Sequence, residues 1–474
     1  MSATGGDTPT PAAEPSEPVD PDVASDDTAA PEADEIALTA SPELVANNLN
    51  EYFRAWGRRI RNGESGVVPI LVGLVAIIIF FQLEQSKFLS ATNLVNLFVQ
   101  SALYVMFGAA EFFALIMSEI DLSIGYLAGV CAFTIAELMA APVNFPWWLA
   151  VIGGLVVGAF CGALQGTLIT RFGLPSFIVT LGGLLGFQGV MLELATIDKS
   201  AVGGVISIPS ENPISKLTAS QMSATVSWIV LIVVILVYAA ATLYSVQSRR
   251  RKGLTAPPMS VSLLTIGVVA VCGVVLVLIC NTNRGLLIPI RGVPWIVPFV
   301  LIVIMLYTAL MGRTKLGRYL YAIGNNPEAA RRAGINVPLI KTIGFTLGGM
   351  TAGLAGIVYL STLGSVSVDI PGGNQVLYAV AAAVIGGTSL FGGRGKPIHA
   401  LLGGIVIGTV VNGLSLMGVG AAVQDIATAI VLILAVMVDA LGRRRSSPPR
   451  GSSEGQGARV RLAARPRFSP QCRT

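Results

Sequence analysis

Residues Gly312 to Lys341 read GRTKLGRYLYAIGNNPEAARRAGINVPLIK, the longest charged and polar interval between two apolar runs in the second half of a 474-residue chain. Within it, Asn326-Pro327-Glu328-Ala329-Ala330-Arg331-Arg332-Ala333-Gly334 holds the start and stop signals of one short helix. Asn326 is a good N-cap, and Pro327 fits the first helical position, where its missing N–H costs nothing. Glu328 sits at the positive end of the helix dipole and Arg331 and Arg332 at the negative end. Gly334 supplies the left-handed residue that ends the helix. The helix spans about 10 Å and is too short to persist alone in water. Ala329, Ala330 and Ala333 predict a shallow face, free of long side chains, on which another surface docks.

The rest of the chain sets the medium in which that loop works. With 53% apolar and only 12% charged residues and a mean hydropathy of +0.73, the composition is that of a polytopic membrane protein. The balance of +5 does not point to nucleic acid, because the basic residues stand in short clusters between apolar runs, as the positive-inside rule requires. Of the five cysteines, Cys131, Cys161 and Cys272 lie within apolar runs, Cys280 ends one and Cys472 is in the tail. They lack metal-ligand spacing and read as small packing residues. His399 is the only histidine, which excludes multi-histidine metal sites. No phosphate-binding G-x-x-x-x-G-K-[ST] loop occurs, so ATP hydrolysis is not expected in this chain, nor is any cofactor.

Residues 1–50 are rich in Pro, Ala, Asp and Glu, with no Lys or Arg before Arg54. The expectation is a disordered acidic cytoplasmic tail rather than a signal peptide, since no apolar core is present. Leu44 to Ile60 mixes Phe53, Trp56 and Ile60 with Arg54 and Arg58, the pattern of a helix lying on the inner membrane surface. Apolar runs then predict spans at 67–81, 93–117, 123–141, 147–170, 176–195, 225–245, 261–280, 294–311, 342–360, 377–391, 398–416 and 425–441. This is an all-α membrane bundle of about 10–12 helices with both termini cytoplasmic. The inner loops hold Arg171, Arg249-Arg250-Arg251-Lys252, the 312–341 loop, Arg394 with Lys396, and Arg443-Arg444-Arg445, whereas the outer loops hold isolated bases such as Lys199, Lys216, Arg284 and Arg291. From 442 to 474 a basic disordered tail is expected, able to meet anionic lipid headgroups.

Several motifs carry polar chemistry. Ser118-Glu119-Ile120-Asp121-Leu122-Ser123 offers two carboxylates at a membrane boundary, but Ser-x-x-Asp before an apolar run also reads as a capping start for the next span. Around Gly173-Leu174-Pro175-Ser176, the following Gly182, Gly183, Gly186 and Gly189 predict a small-residue face for tight helix contact. Gln165, Gln188 and Glu193, together with Asn374 and Asn412, are polar groups in or beside spans and so candidates for a substrate path. Gly386 to Gly395 combines flexible backbone and exposed amides at an inner turn; a phosphate cradle there lacks the following Lys-Ser/Thr.

The segments EIDLSIG, PSFIVTLGG, YAIGNNPEAARRAGI, AAVIGGTSLFGGRG and NGLSLMGV resemble, in order, those of bacterial ABC sugar permeases of the ribose and xylose branch, over residues 66–441. Glu328, its alanines and Gly334 match the EAA loop of that class. Glu119 and the basic loop Arg249–Lys252 look most like the xylose members. The resemblance implies a permease subunit of an ATP-driven importer in a bacterial cell membrane, taking up a monosaccharide such as xylose or another pentose. It further implies a second permease subunit (a homodimer), an extracytoplasmic sugar-binding protein, and an ABC ATPase that carries ATP and magnesium. Asn326, Glu328, Ala329, Ala330, Arg331 and Gly334 would couple to that ATPase. Lys396-Pro397 and the acidic N-terminus depart from the family's pattern. An ion-coupled secondary sugar carrier is the alternative; it would need deep carboxylates, of which Glu111 is the main one. A membrane-embedded enzyme has no nucleophile–base pair to support it.

Overall fold

The computed structural model describes Arg54 and residues 68–197, 203–253, 256–285, 289–368 and 372–446. The acidic N-terminal tail, the Leu44–Ile60 surface helix apart from Arg54, Lys199, and the basic tail beyond 446 with Cys472 lie outside the described residues. In order, the elements are α1 Val68–Glu84, α2 Ala91–Leu115, α3 Ile124–Met139, α4 Trp147–Phe172, α5 Ser176–Ile197, β1 Val205–Ser207, α6 Pro213–Ala219, α7 Ala224–Arg251 and α8 Met259–Asn281. There follow α9 Ile296–Arg313, α10 Lys315–Asn325, α11 Pro327–Arg332, α12 Val337–Leu363, β2 Ser365–Ser367, α13 Gly372–Ile385, α14 Pro397–Leu416 and α15 Ala421–Ser446.

Among the described residues eight helices are long and apolar enough to cross a membrane, and four more apolar helices are shorter. Together they fall on the twelve apolar runs of the sequence. The protein is therefore a polytopic helical membrane protein. The tenth run ends earlier than its hydropathy predicts: α13 stops at Ile385, and Gly387 (φ +106°) turns the chain away before the apolar Leu390 and Phe391. A residue with a Cβ is disfavoured in that conformation, so glycine sets the helix end. At the other end of the chain α15 continues to Ser446, past the expected boundary at 441.

The chain divides into two compact units, residues 57–241 with 265–474 and residues 1–56 with 242–264. The described part of the smaller unit is Arg54, the last turns of α7, a basic turn and the start of α8; there Arg250 Nη2 donates to Pro257 O at 3.4 Å, and Arg249 to Arg251 are exposed.

In the larger unit α2 is the central element. Its span is 78% buried, against 6% for α7. A helix apolar on every side is the kind a bundle can enclose. α12, α13, α14 and α9 pack on α2, while α12 also lies on α3 and α4. The most extensive seam joins α4 and α12. Gly154, Gly158, Gly162 and Gly166 recur every fourth residue and are or border buried positions. A Cβ at Gly158 would collide with the Gly349 carbonyl, and one at Gly162 with that of Phe345. Backbones that approach this closely gain van der Waals contact in a medium where apolar burial gives no advantage. The face predicted on α5 behaves otherwise: Gly182, Gly186 and Gly189 have open space beside them, and Gly183 alone is crowded, by Gln165.

The loops sort to two ends as the charges require. Residues 116–123, 312–341 and 386–396 meet at one end through Ser118, Gly324 and Phe391. At the opposite ends of those helices β1 pairs antiparallel with β2 (Ile206 opposite Val366), and Thr218 Oγ1 donates to Ser361 O at 2.7 Å.

Candidate functional site

Thr314 both ends α9 and starts α10: its N–H donates to Leu310 O and its Oγ1 accepts from Gly317 N at 3.2 Å. Along α10, Gly317, Leu320, Ile323 and Gly324 turn inward. α11 then forms as its local signals demand. Asn326 Oδ1 accepts from Ala329 N at 3.0 Å, and Pro327 occupies the first turn. At the other end Gly334 N donates to Arg331 O and Ile335 N to Ala330 O, with Gly334 at φ +80°. That pair of bonds is the Schellman arrangement, which satisfies carbonyls the short helix cannot satisfy itself. Glu328 lies 3.6 Å from Arg331 and 3.5 Å from Arg332. These pairs are exposed, and such pairs contribute little to stability.

The expected alanine face needs one correction. Ala329 and Ala333 are exposed, but Ala330 is 4% exposed and belongs to the apolar cluster of Phe112, Ile116, Leu320, Ile323, Val337 and Ile340. A six-residue helix has to bury one side to exist at all, and Ala330 is that side. The accessible face is Pro327, Glu328, Ala329, Arg331, Arg332, Ala333 and Gly334, continued by Leu339 at 53% exposure.

The α2–α3 loop beneath this helix does not use a Ser-x-x-Asp cap. Ser123, the residue before α3, makes no side-chain cap bond. Instead Asp121 Oδ1 accepts from Ser123 N at 2.9 Å and from Ser123 Oγ at 2.6 Å. Burial raises the Asp121 carboxyl above its ordinary range, and the two Ser123 bonds offset part of that rise. Gln165 Nε2 donates to Ser123 Oγ at 2.9 Å, and Thr180 Oγ1 to Ile120 O at 3.3 Å. Asp121 N lies 3.4 Å from Glu111 Oε1, whose companion Oε2 is buried without a hydrogen-bond partner. Thus Gln165 sits in a buried polar set with Glu111, Asp121 and Ser123.

The other path candidates lie elsewhere. Asn412 is buried in α14, where its Oδ1 accepts from Asn93 Nδ2 at 2.9 Å and its Nδ2 donates to Gln100 Oε1 at 3.2 Å. Asn374 is exposed and donates to Asp425 Oδ2 at 3.2 Å; Tyr378 OH donates to Asp425 Oδ1 at 3.0 Å. Tyr104 meets Tyr378 edge-on with ring centroids 5.2 Å apart. Gln188 is half-buried and Glu193 exposed on α5. Among the described residues no hydrogen bond joins any two of these five. Asn93, Gln100, Tyr104 and Asp425 escaped the sequence reading; the signal available was a polar residue or Tyr within or at the start of an apolar run.

The glycine turn 386–395 spends its amides inside the chain: Gly393 N donates to Ile116 O, Gly392 N to Ser389 O, and Ser389 N to Arg394 O. That usage leaves poor material for a phosphate cradle. Lys396 precedes α14, and its N–H donates to His399 Nδ1 at 3.3 Å. The departure at Lys396-Pro397 therefore forms an ordinary helix start, with Pro397 in the first turn.

Comparison with known proteins agrees with this architecture. The family described as "Branched-chain amino acid transport system / permease component" matches residues 93–438. The xylose transport system permease protein XylH of Escherichia coli (strain K12) is 32% identical over 383 residues, covering 80% of this chain and 93% of that protein. The D-allose transport system permease protein AlsC of the same strain is 31% identical over 376 residues, 79% and 91% of the two chains. The ribose import permease protein RbsC, again of that strain, is 29% identical over 369 residues, 78% and 92%. No solved structure matches. A family match across most of the chain makes this protein a multi-pass membrane permease of the branched-chain amino acid transport system / permease component family.

Proposed function

We propose that the chain is the membrane-spanning subunit of an ATP-driven importer for a monosaccharide, with a pentose such as xylose as first choice. The observation that carries this reading is α11, a fully capped helix at the end of the bundle where the positive-inside rule puts the cytoplasm, with every residue but Ala330 exposed. A helix that is rigid, short and open on one side fits a groove on a separate ATPase, which would hold ATP and magnesium. Relatives named for xylose, allose and ribose transport support a sugar cargo.

In this reading the ATPase grips Pro327, Glu328, Ala329, Arg331, Arg332 and Gly334. Its closure moves α10 and α12, which flank the grip. Alternating access then needs two arrangements of the bundle close in energy. The sugar would meet amide and hydroxyl groups at the outer end, where Asn93, Gln100 and Asn412 form one set and Asn374, Tyr378 and Asp425 another. Such groups answer the donors and acceptors of a sugar, and the Tyr rings its apolar face. A second copy of the permease in the bacterial cell membrane and an extracytoplasmic binding protein complete the assembly. Membership in a permease family favours this over an ion-coupled carrier.

The test is reconstitution with the ATPase and binding protein encoded nearest the gene, followed by uptake of labelled D-xylose, D-ribose and D-allose. ATP-dependent accumulation of a pentose is expected. Uptake driven by a proton or sodium gradient without the ATPase would overturn it.

A further inference from the structure

Residues Ile116 to Ser123, the loop between α2 and α3, touch the end of α10, the glycine turn, the start of α12 and the polar set on α2, α4 and α5. Ser118 Oγ lies 3.0 Å from Gly324 O, at the end of α10 two residues before α11 begins to be capped, and 2.8 Å from Phe391 O in the glycine turn. Its single proton is divided between the two carbonyls. Gly393 N donates to Ile116 O at 3.0 Å. Asn325 Nδ2 donates to Gly393 O at 3.4 Å, and Tyr321 OH to Gly395 O at 2.7 Å. The three loops approach so closely that a Cβ at Gly324, Gly392 or Gly393 would strike the Ile116 carbonyl, Ser118 Oγ or the Asn325 amide in turn. One residue after Ser118, Glu119 pairs with Lys341 near the start of α12, with both side chains largely buried. Further along, Ile120, Asp121 and Ser123 reach Thr180 on α5, Glu111 on α2 and Gln165 on α4.

Ser118 itself holds φ +63°. A non-glycine residue in that region is uncommon and strained, yet serine stands here with its hydroxyl bridging two loops. Simple chain reversal would favour glycine. The strain is tolerated because the surrounding contacts determine the conformation.

We infer that the α2–α3 loop is the transmission element of this permease, with Ser118 and the Glu119–Lys341 pair as the positioning groups that carry movement of α11 into α2, α4 and α14. The inference rests on the reading that α11 docks on an ATPase. Without the loop, a pull on α11 would reach α2 through the apolar packing of Ala330, α4 through α12 packed on it, and the glycine turn through Tyr321 and Asn325. With it, the same pull also passes through Ser118 to the glycine turn that starts α14 and, through Glu119 and Lys341, to the buried polar set around Gln165. Every link is a hydrogen bond, an ion pair or a close backbone approach, so the three loops move as one body.

The test uses the whole transporter, permease with its ATPase in lipid nanodiscs, and amide hydrogen exchange with and without magnesium-ATP and vanadate. In the wild type, nucleotide should change exchange both at 327–332 and at 116–123 with the facing part of α4. Ser118→Gly removes the hydroxyl while relieving the backbone strain, so any loss it causes is not a misfolded turn. In Ser118→Gly, and separately in Lys341→Gln, the response at 327–332 should persist while the response at 116–123 and α4 falls by about fivefold or more, the low end of ordinary coupling between sites. Glu119→Lys combined with Lys341→Glu should restore it, as a direct ion pair between the two side chains requires. Full responses at both places in the two single variants would overturn the transmission role and leave the docking reading standing. No response at 327–332 in the wild type would overturn the docking reading, and this inference with it.

Discussion

Successive helices α4 and α5 both carry a row of glycines: Gly154, Gly158, Gly162 and Gly166 on the first, Gly182, Gly183, Gly186 and Gly189 on the second. On α4 the row meets the backbone of α12 directly, with Gly349 lodged against Gly158 and Gly162. On α5 three of the four face open space. The difference does not lie in the glycines. It lies in the facing helix: α12 offers Gly349 and Gly353 at the same spacing, so two flat surfaces meet, whereas α5 turns only Gly183 toward a side chain, Gln165. A small residue marks close packing when the other side is small too. The same contrast recurs within one turn of α11, where Ala330 is enclosed and Ala329 is exposed.

The contrast predicts a graded series. The largest effect is expected for Gly162→Leu, which drives a branched side chain into the Phe345 carbonyl; such overpacking costs about 3 kcal/mol or more where backbones touch. Thermal unfolding in detergent should drop sharply, and an unchanged midpoint would break the seam. Next, Ala330→Trp should destabilise the 312–341 loop and make it a target for limited proteolysis, whereas Ala329→Trp should leave folding intact and abolish association with the ATPase. Equal behaviour of the two would erase the distinction between enclosed and open alanine. Gly334→Val should cost about 1–2 kcal/mol, the ordinary penalty for a Cβ in the left-handed region, seen as partial fraying of α11 by hydrogen exchange. The smallest effect belongs to Gly186→Leu, expected within about 0.5 kcal/mol, as for substitutions away from tight contacts. A large loss there would mean that α5 has a tight neighbour after all. Orientation is checked separately: Glu211→Cys, 88% exposed, should react with an impermeant thiol reagent from outside and Arg332→Cys only from inside.

Much of this was legible before any coordinates, for physical reasons that are local. Apolar run length sets where a helix crosses a bilayer, and the clusters Arg249–Lys252 and Arg443–Arg445 set which end faces inward. The caps of α11 are readable because Asn326, Pro327 and Gly334 act on backbone groups within three residues of themselves. Partners far apart in sequence were not legible. Gln165 stands out by its polarity, but nothing nearby in sequence says that Ser123, 42 positions away, accepts its proton. Asn412 likewise answers Asn93, 319 positions away. Ala330 reads from the sequence as part of an open face because helical periodicity groups residues by face without saying which face the bundle claims. The end of α13 is not legible because hydropathy continues through Leu390 and Phe391 while the backbone turns at Gly387.

The pairing of β1 with β2 limits how α12 moves. Only three residues on each side take part, and the buried pair is Ile206 with Val366, flanked by partly exposed neighbours. A slip of β2 by one residue, about 3.3 Å, would turn Val366 away from Ile206, since strand faces alternate. β2 begins two residues after α12 ends, so a piston stroke of that helix along its own axis would have to break the ladder. Tilting about the ladder would leave it whole. The outer end of α12 thus resists sliding along the helix axis and yields to tilt, so a displacement imposed at Val337 would reach the ladder as rotation.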